Sequence, residues 1–226
     1  MYMHPEAQPE GVLTIDKPFS EDQLNTALLA IATNQPYLNT ISWRSRAQRA
    51  LRQTGDATDA IISFQVAAES LLFDTYRMLL IDDGMASTQI SAELETEIPF
   101  KALLTTKLPE RLGGNWDVTR EETAVGQYWR DLYLVRNSVV HAGLQAHGGH
   151  AGDAQAAYWK LRDYLEERLW AKHNSYPRTL LARFGKQQIK ERGWLTGSMR
   201  RLIDEVENGP QPFHWPVDLR TQDEAD

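Results

Sequence analysis

Apolar residues recur at three- and four-residue intervals along most of this chain, the spacing that gives an α-helix one buried face. The densest stretch is residues 59–81. There Ile61, Ile62, Phe64, Val66, Ala68, Leu71, Leu72, Tyr76, Leu79 and Leu80 cover too much of the circumference for a surface helix. That pattern predicts a helix at the centre of a bundle. Residues 20–33 open with Ser20 and Gln23 in a capping-box arrangement and continue in leucine and alanine, which predicts a helix ended by Pro36. A further helix is expected over 43–53, and a connection with a short helix over 82–97. A short apolar helix is expected between Pro99 and Pro109. Over 121–140 the positions Val125, Tyr128, Trp129, Leu132 and Val135 keep the helical interval. A glycine- and histidine-rich loop is expected over 142–152. Asp153 is then expected to cap a helix running to about residue 172, whose inner stripe is Tyr158, Leu161, Tyr164, Leu165 and Leu169. Two shorter helices come next, over 178–191 and 198–207, and the last residues, 209–226, form a proline-containing acidic tail. Nothing alternates as a half-buried strand does.

The fold class that results is all-α: four or five core helices with added N- and C-terminal helices. Residues 1–40 form an N-terminal extension, 41–175 the bundle, and 176–226 the C-terminal helices and tail. The 226 residues suffice for a substantial core, and 42 % hydrophobic with 24 % charged residues is a globular composition rather than a disordered one. No apolar run approaches the roughly 18 residues of a spanning helix, so no membrane association is expected. The start, Met1 to Glu6, lacks the basic and apolar segments of a secretory signal, and a cytoplasmic location is expected. There is no cysteine, which excludes disulfides, thiolate nucleophiles and cysteine-held metals.

The net charge of −7 argues against a protein that coats nucleic acid, but the charge is unevenly spread. Residues 160–201 hold eleven Lys or Arg against four Asp or Glu, a balance of +7, leaving −14 for the rest. Electrostatic attraction is local, screened over roughly 8 Å at physiological salt, so one basic face can still hold a polyanion. The same charges would also serve to solvate amphipathic helices.

Candidate chemistry concentrates at Tyr133-Leu134-Val135-Arg136-Asn137-Ser138-Val139-Val140-His141-Ala142-Gly143. A fixed cation, an amide and an imidazole fall within one and a half turns, at a helix end that glycine stops. Arginine holds two phosphate oxygens with a planar fork, and histidine exchanges a proton near neutrality. Tyr133, Asn137 and His141 share one face at i, i+4 and i+8. Arg136 and His141 stand about 140° apart on an ideal helix, so they converge on one ligand if the last turn loosens or a second copy faces the first. The bare spacing is weak, since Arg168 and His173 repeat it; the flanking residues separate the two. Arg136 could instead pair with Glu69 or Asp131, Asn137 could be a buried hydrogen-bonding wedge, and His141 could serve the helix C-terminus as a cation worth roughly 0.3–1 kcal/mol.

With those flanks, Arg136-Asn137-Ser138-Val139-Val140-His141-Ala142-Gly143 resembles the signature of the HEPN superfamily, and its Apea-like branch in particular. The helix Phe64-Gln65-Val66-Ala67-Ala68-Glu69-Ser70-Leu71-Leu72 is similar to that family's acidic helix, and the aromatic helix from Tyr158 also fits. The likeness covers residues 41–172. It implies a metal-independent endoribonuclease without cofactor, dimeric in many members, with two motifs lining one cleft. On that likeness His141 handles the proton of the ribose 2′-hydroxyl, and Arg136 holds the scissile phosphate. Asn137 orients one or the other, and Glu69 and Tyr133 support them. The products would be a 2′,3′-cyclic phosphate and a 5′-hydroxyl. It also implies RNA as partner, a homodimer, an antitoxin or regulatory protein as a further partner, and roles such as a toxin or an antiviral defence effector. Many such domains are noncatalytic modules that bind a partner protein or nucleotide, which is the alternative reading.

Other clusters say less. His141, His147 and His150 with Asp153 have the donor types of a metal site, but the Gly148-Gly149 pair gives no rigid spacing, and no metal is expected. That loop reads better as a lid. Arg46, Arg49 and Arg52 with Trp43 at their head could meet a phosphate backbone, or form a solvated face with packed alkyl stems.

Overall fold

The computed structural model describes residues 35–95 and 98–208, without the side chains of residues 95 and 207. The helix expected over 20–33 and the tail over 209–226 lie outside the described residues. Those described are all-α, with no strand among them. The elements are α1 (Leu38–Arg49), α2 (Ala57–Asp82), α3 (Ser87–Glu95), α4 (Phe100–Ala102), α5 (Leu108–Leu112), α6 (Ala124–Tyr128), α7 (Leu134–His141), α8 (Gly148–Ala171), α9 (Pro177–Glu191) and α10 (Gly197–Asn208). Among the described residues three π turns join neighbouring helices: Ala50–Thr54 after α1, Leu103–Lys107 between α4 and α5, and Trp129–Tyr133 between α6 and α7. No helix among them is long and apolar enough to cross a membrane.

The sequence pattern places α2 at the centre, and it lies there. Ile61, Phe64, Leu71, Leu72 and Leu79 are fully buried, each stabilising by about 1.5–3 kcal/mol relative to exposure. Ala60, Ala67 and Ala68 on α2 meet Ala47 of α1 and Ala154 and Ala157 of α8 in one apolar cluster. Small side chains there let α1 and α8 approach closely on either side, with Phe64 against Tyr158 at 5.6 Å between ring centroids. The C-terminal helices join this same core. Asp82, at the end of α2, accepts from the backbone N–H of Arg178 (3.0 Å) and Thr179 (2.8 Å) and from the Thr179 hydroxyl (2.8 Å), so α2 caps α9. Behind that cap the side chains of Arg183 and Glu166, only 3 % and 6 % exposed, pair at 2.6 Å.

The structure corrects three boundaries, the first at the helix expected over 43–53, which begins at Leu38. The helix expected from residue 121 begins at Ala124, because Thr123 Oγ1 caps it by accepting from Gly126 N–H at 3.0 Å. The long helix expected from Asp153 begins at Gly148. His147 is its cap: Nδ1 accepts from Gly149 N–H at 3.1 Å, and the His147 ring stacks on His150 at 3.7 Å. Two glycines in a first turn cost helix propensity, but the cap and the ring stack offset that cost locally. The glycine- and histidine-rich loop is therefore short, spanning only 142–147.

Candidate functional site

The motif helix is built in two parts. α6 buries Val125 and Tyr128, and the π turn buries Leu132. Its extra residue is marked by the Leu134 amide, which donates to the Trp129 carbonyl five residues back. A widened turn of this kind rotates the next helical segment relative to the preceding one, and such turns recur at functional sites. After it α7 has no fully buried residue, so the segment carrying the motif lies on the surface of the bundle. Gly143 (φ 70°) ends α7, and its left-handed conformation lets the Leu144 N–H return to the Ser138 carbonyl at 3.1 Å.

Arg136 is half-buried. Its Nη1 donates to Asn137 Oδ1 at 3.1 Å, while its Nε is buried without a hydrogen-bond partner. The acids weighed as partners are engaged elsewhere: Asp131 binds Arg130 at 2.6 Å, and Glu69 accepts from Gln65 Nε2 at 2.9 Å. Among the described residues the guanidinium is thus held by an amide and makes no ion pair with a carboxylate, the state in which it can accept an external anion. Glu69 remains nearby. Gln65 Nε2 lies 2.9 Å from both Glu69 Oε1 and the Tyr128 hydroxyl, linking the acidic helix to the motif helix. Burial pushes the Tyr128 phenol well up, and Glu69 and Arg136 are both close enough to act on it, in opposite senses. Tyr128 therefore stays a neutral hydrogen-bonding strut.

His141, the last residue of α7, is exposed and has no side-chain hydrogen bond, ion pair or ring contact among the described residues. The histidine of the Arg168–His173 pair differs. His173 lies 3.0 Å from the Trp170 carbonyl through Nδ1, and its ring is stacked on Trp194 at 4.2 Å. It is a packed residue, bordering a cavity of about 50 Å³ shared with Trp170, Trp194 and Met199. The motif helix and the residue following Gly143 also carry exposed large hydrophobics: Leu134 at 46 %, Val140 at 44 % and Leu144 at 37 %.

Tyr133 stacks with two rings. Trp129 stacks on one side at 4.0 Å and 16°, and Phe100 of α4 lies near-parallel at 5.6 Å and 13°. The Lys101 ammonium stands 5.8 Å from the Trp129 ring centroid. Composition hid this ladder. The available signal was the i, i+4 spacing of Trp129 and Tyr133; what Phe100 would meet was not legible.

The arginine stripe is partly spent. Arg46 binds Asp59 at 2.9 Å and stands 5.2 Å over Trp43, tying α1 to the start of α2, whereas Arg49 and Arg52 are exposed. No hydrogen bond, ion pair or ring contact joins this stripe to α7 among the described residues. The basic segment over 160–201 lies away from the motif. The α6–α7 segment runs antiparallel to α8, with Gln127 bonded to Lys160 and His141 leading into the cap at His147. Residues beyond 160 therefore extend past the far end of the motif helix. His147 and His150 cap and pack the start of α8, and no group of three metal-binding side chains occurs among the described residues. Comparison with known families, curated proteins and solved structures finds no match to this chain.

Proposed function

We propose that this chain is a HEPN-like, metal-independent endoribonuclease that works as a homodimer. One observation carries the reading: at an exposed helix end, an arginine without an acidic partner among the described residues is held by the amide beside it, and five residues on stands an imidazole with no partner among them. RNA brings its own nucleophile, so a base and a preorganised cation suffice. His141 takes the proton of the 2′-hydroxyl as its oxygen attacks phosphorus. Arg136 holds the non-bridging oxygens as charge grows on them, with Asn137 fixing the guanidinium. The bond from phosphorus to the 5′-oxygen breaks, and that oxygen takes up a proton from a second imidazole. A second copy facing the first supplies that imidazole, since Arg136 and His141 diverge by about 140° on one helix. The exposed Leu134, Val140 and Leu144 support such a pairing of copies around the motif.

The test is cleavage of single-stranded RNA with a chelator present. General acid–base catalysis contributes about 10²–10⁴-fold, so His141→Ala and Arg136→Ala should each lose at least about 100-fold with folding intact. Leu134→Glu should make the protein monomeric and inactive. Equal residual cleavage by wild type and both motif variants would defeat the proposal. The same exposed apolar residues favour a second reading, a noncatalytic module that docks a partner protein such as an antitoxin. In that case no variant changes cleavage, while Leu134→Glu abolishes partner binding.

A further inference from the structure

We propose that Trp129 and Lys101 form a base-stacking and phosphate-binding subsite for single-stranded RNA, remote from the bond that is cut. The inference rests on the proposed action on RNA and adds where the strand lies. Tyr133 stacks on the Trp129 indole at 4.0 Å and is near-parallel to Phe100 at 5.6 Å, and all three rings pack against the core of the bundle. Among the described residues no further ring stacks on the indole. The group standing over it is the Lys101 ammonium, on an exposed and flexible side chain. Trp129 is half-buried against the core, and where its indole reaches the surface it offers an unpaired base a π-face, with the Lys101 ammonium as a charge for the phosphate. Stacking of this kind tolerates any base, because every base has a π-face.

Position gives the subsite its meaning. Trp129, Tyr133 and Arg136 succeed one another along the motif segment. Seven residues at about 1.5 Å each put Trp129 roughly 10 Å from Arg136 along the axis. At about 3.4 Å per stacked nucleotide, that separates the stacked base from the scissile phosphate by about three nucleotides. Arg130 pairs with both Asp131 and Glu121, at 2.6 and 3.0 Å, which reduces the charge of that trio to −1.

Two measurements test this. The first is binding of a labelled 2′-O-methyl hexanucleotide, which cannot be cleaved, monitored by fluorescence anisotropy. Trp129→Leu should weaken binding at least about fivefold, whereas Trp129→Phe should retain most of it. Lys101→Gln, an exposed change with little bearing on folding, should weaken binding and lower the salt slope by about one. The second is the gain in kcat/KM from a dinucleotide to a hexanucleotide substrate, which Trp129→Leu should largely erase through KM. Wild-type binding unaffected by either Trp129→Leu or Lys101→Gln overturns the subsite, even where His141→Ala abolishes cleavage. Binding that depends on both residues without any cleavage leaves the subsite standing and removes the nuclease. No hexanucleotide binding by wild type removes both.

Discussion

Gly126 supports the start of the motif helix, and replacing it with alanine isolates one steric term. The chain folds back before α6, so that the Arg120 carbonyl accepts from Thr123 N–H at 3.0 Å and from Thr123 Oγ1 at 2.8 Å. That carbonyl then lies over residue 126. A Cβ there would fall well inside 3.0 Å of the Arg120 oxygen, 2.5 Å from its carbonyl carbon and 3.0 Å from Glu121 N. All three atoms are backbone, so none can swing aside. The turn must move, at about 1–3 kcal/mol for overpacking, and the Thr123 cap on Gly126 N–H loses about 1 kcal/mol with it. A total of about 2–4 kcal/mol corresponds to a Tm lowered by roughly 5–15 °C for a protein of this size. Calorimetry or urea unfolding would measure it. Gly143→Ala is the control: φ is +70° but nothing lies within 4 Å of the added Cβ, so only the conformational cost of about 1–2 kcal/mol applies. A Gly126→Ala protein within about 0.5 kcal/mol of wild type, or less affected than Gly143→Ala, would refute the steric argument.

The packing gives three further outcomes. Arg183→Met leaves Glu166 as a buried charge with one partner fewer, and should cost about 3–5 kcal/mol in urea unfolding; adding Glu166→Leu should recover much of it. His147→Ala removes the cap of α8 and should cost about 1 kcal/mol in a thermal melt, with Asn restoring it, while Asp153→Ala, exposed and past the first turn, should stay within about 0.5 kcal/mol. Burial pushes the carboxyls of Asp74 and Asp82 up, against the Arg77 charge beside Asp74 and the hydrogen bonds that pull both down. The folded state thus takes up their protons before the unfolded chain does, and their contribution to stability grows as pH falls through the raised values. Urea titrations between about pH 7 and 4 should show the advantage of wild type over Asp82→Asn widening with acid.

Helical class, the central place of α2 and the position of the motif at a glycine-stopped helix end were all legible in the sequence. Each depends on local spacing: apolar residues three and four apart must share a face, and Gly143 must end a helix by its backbone freedom. The start of α8 was not legible, because residue preference favours Asp153 over a histidine before two glycines, and only the His147–His150 stack reverses that preference. Nor could spacing tell Arg136–His141 from Arg168–His173. The second histidine is consumed by Trp194, and the first is left open. The partners of Arg136 likewise depended on which acids other residues claimed: Arg130 took Asp131, and Gln65 bound Glu69. What the sequence determined by itself is which residues can face inward together. What only the tertiary structure decided is which polar groups are used up by one another and which stay free, since that depends on neighbours far apart in the chain.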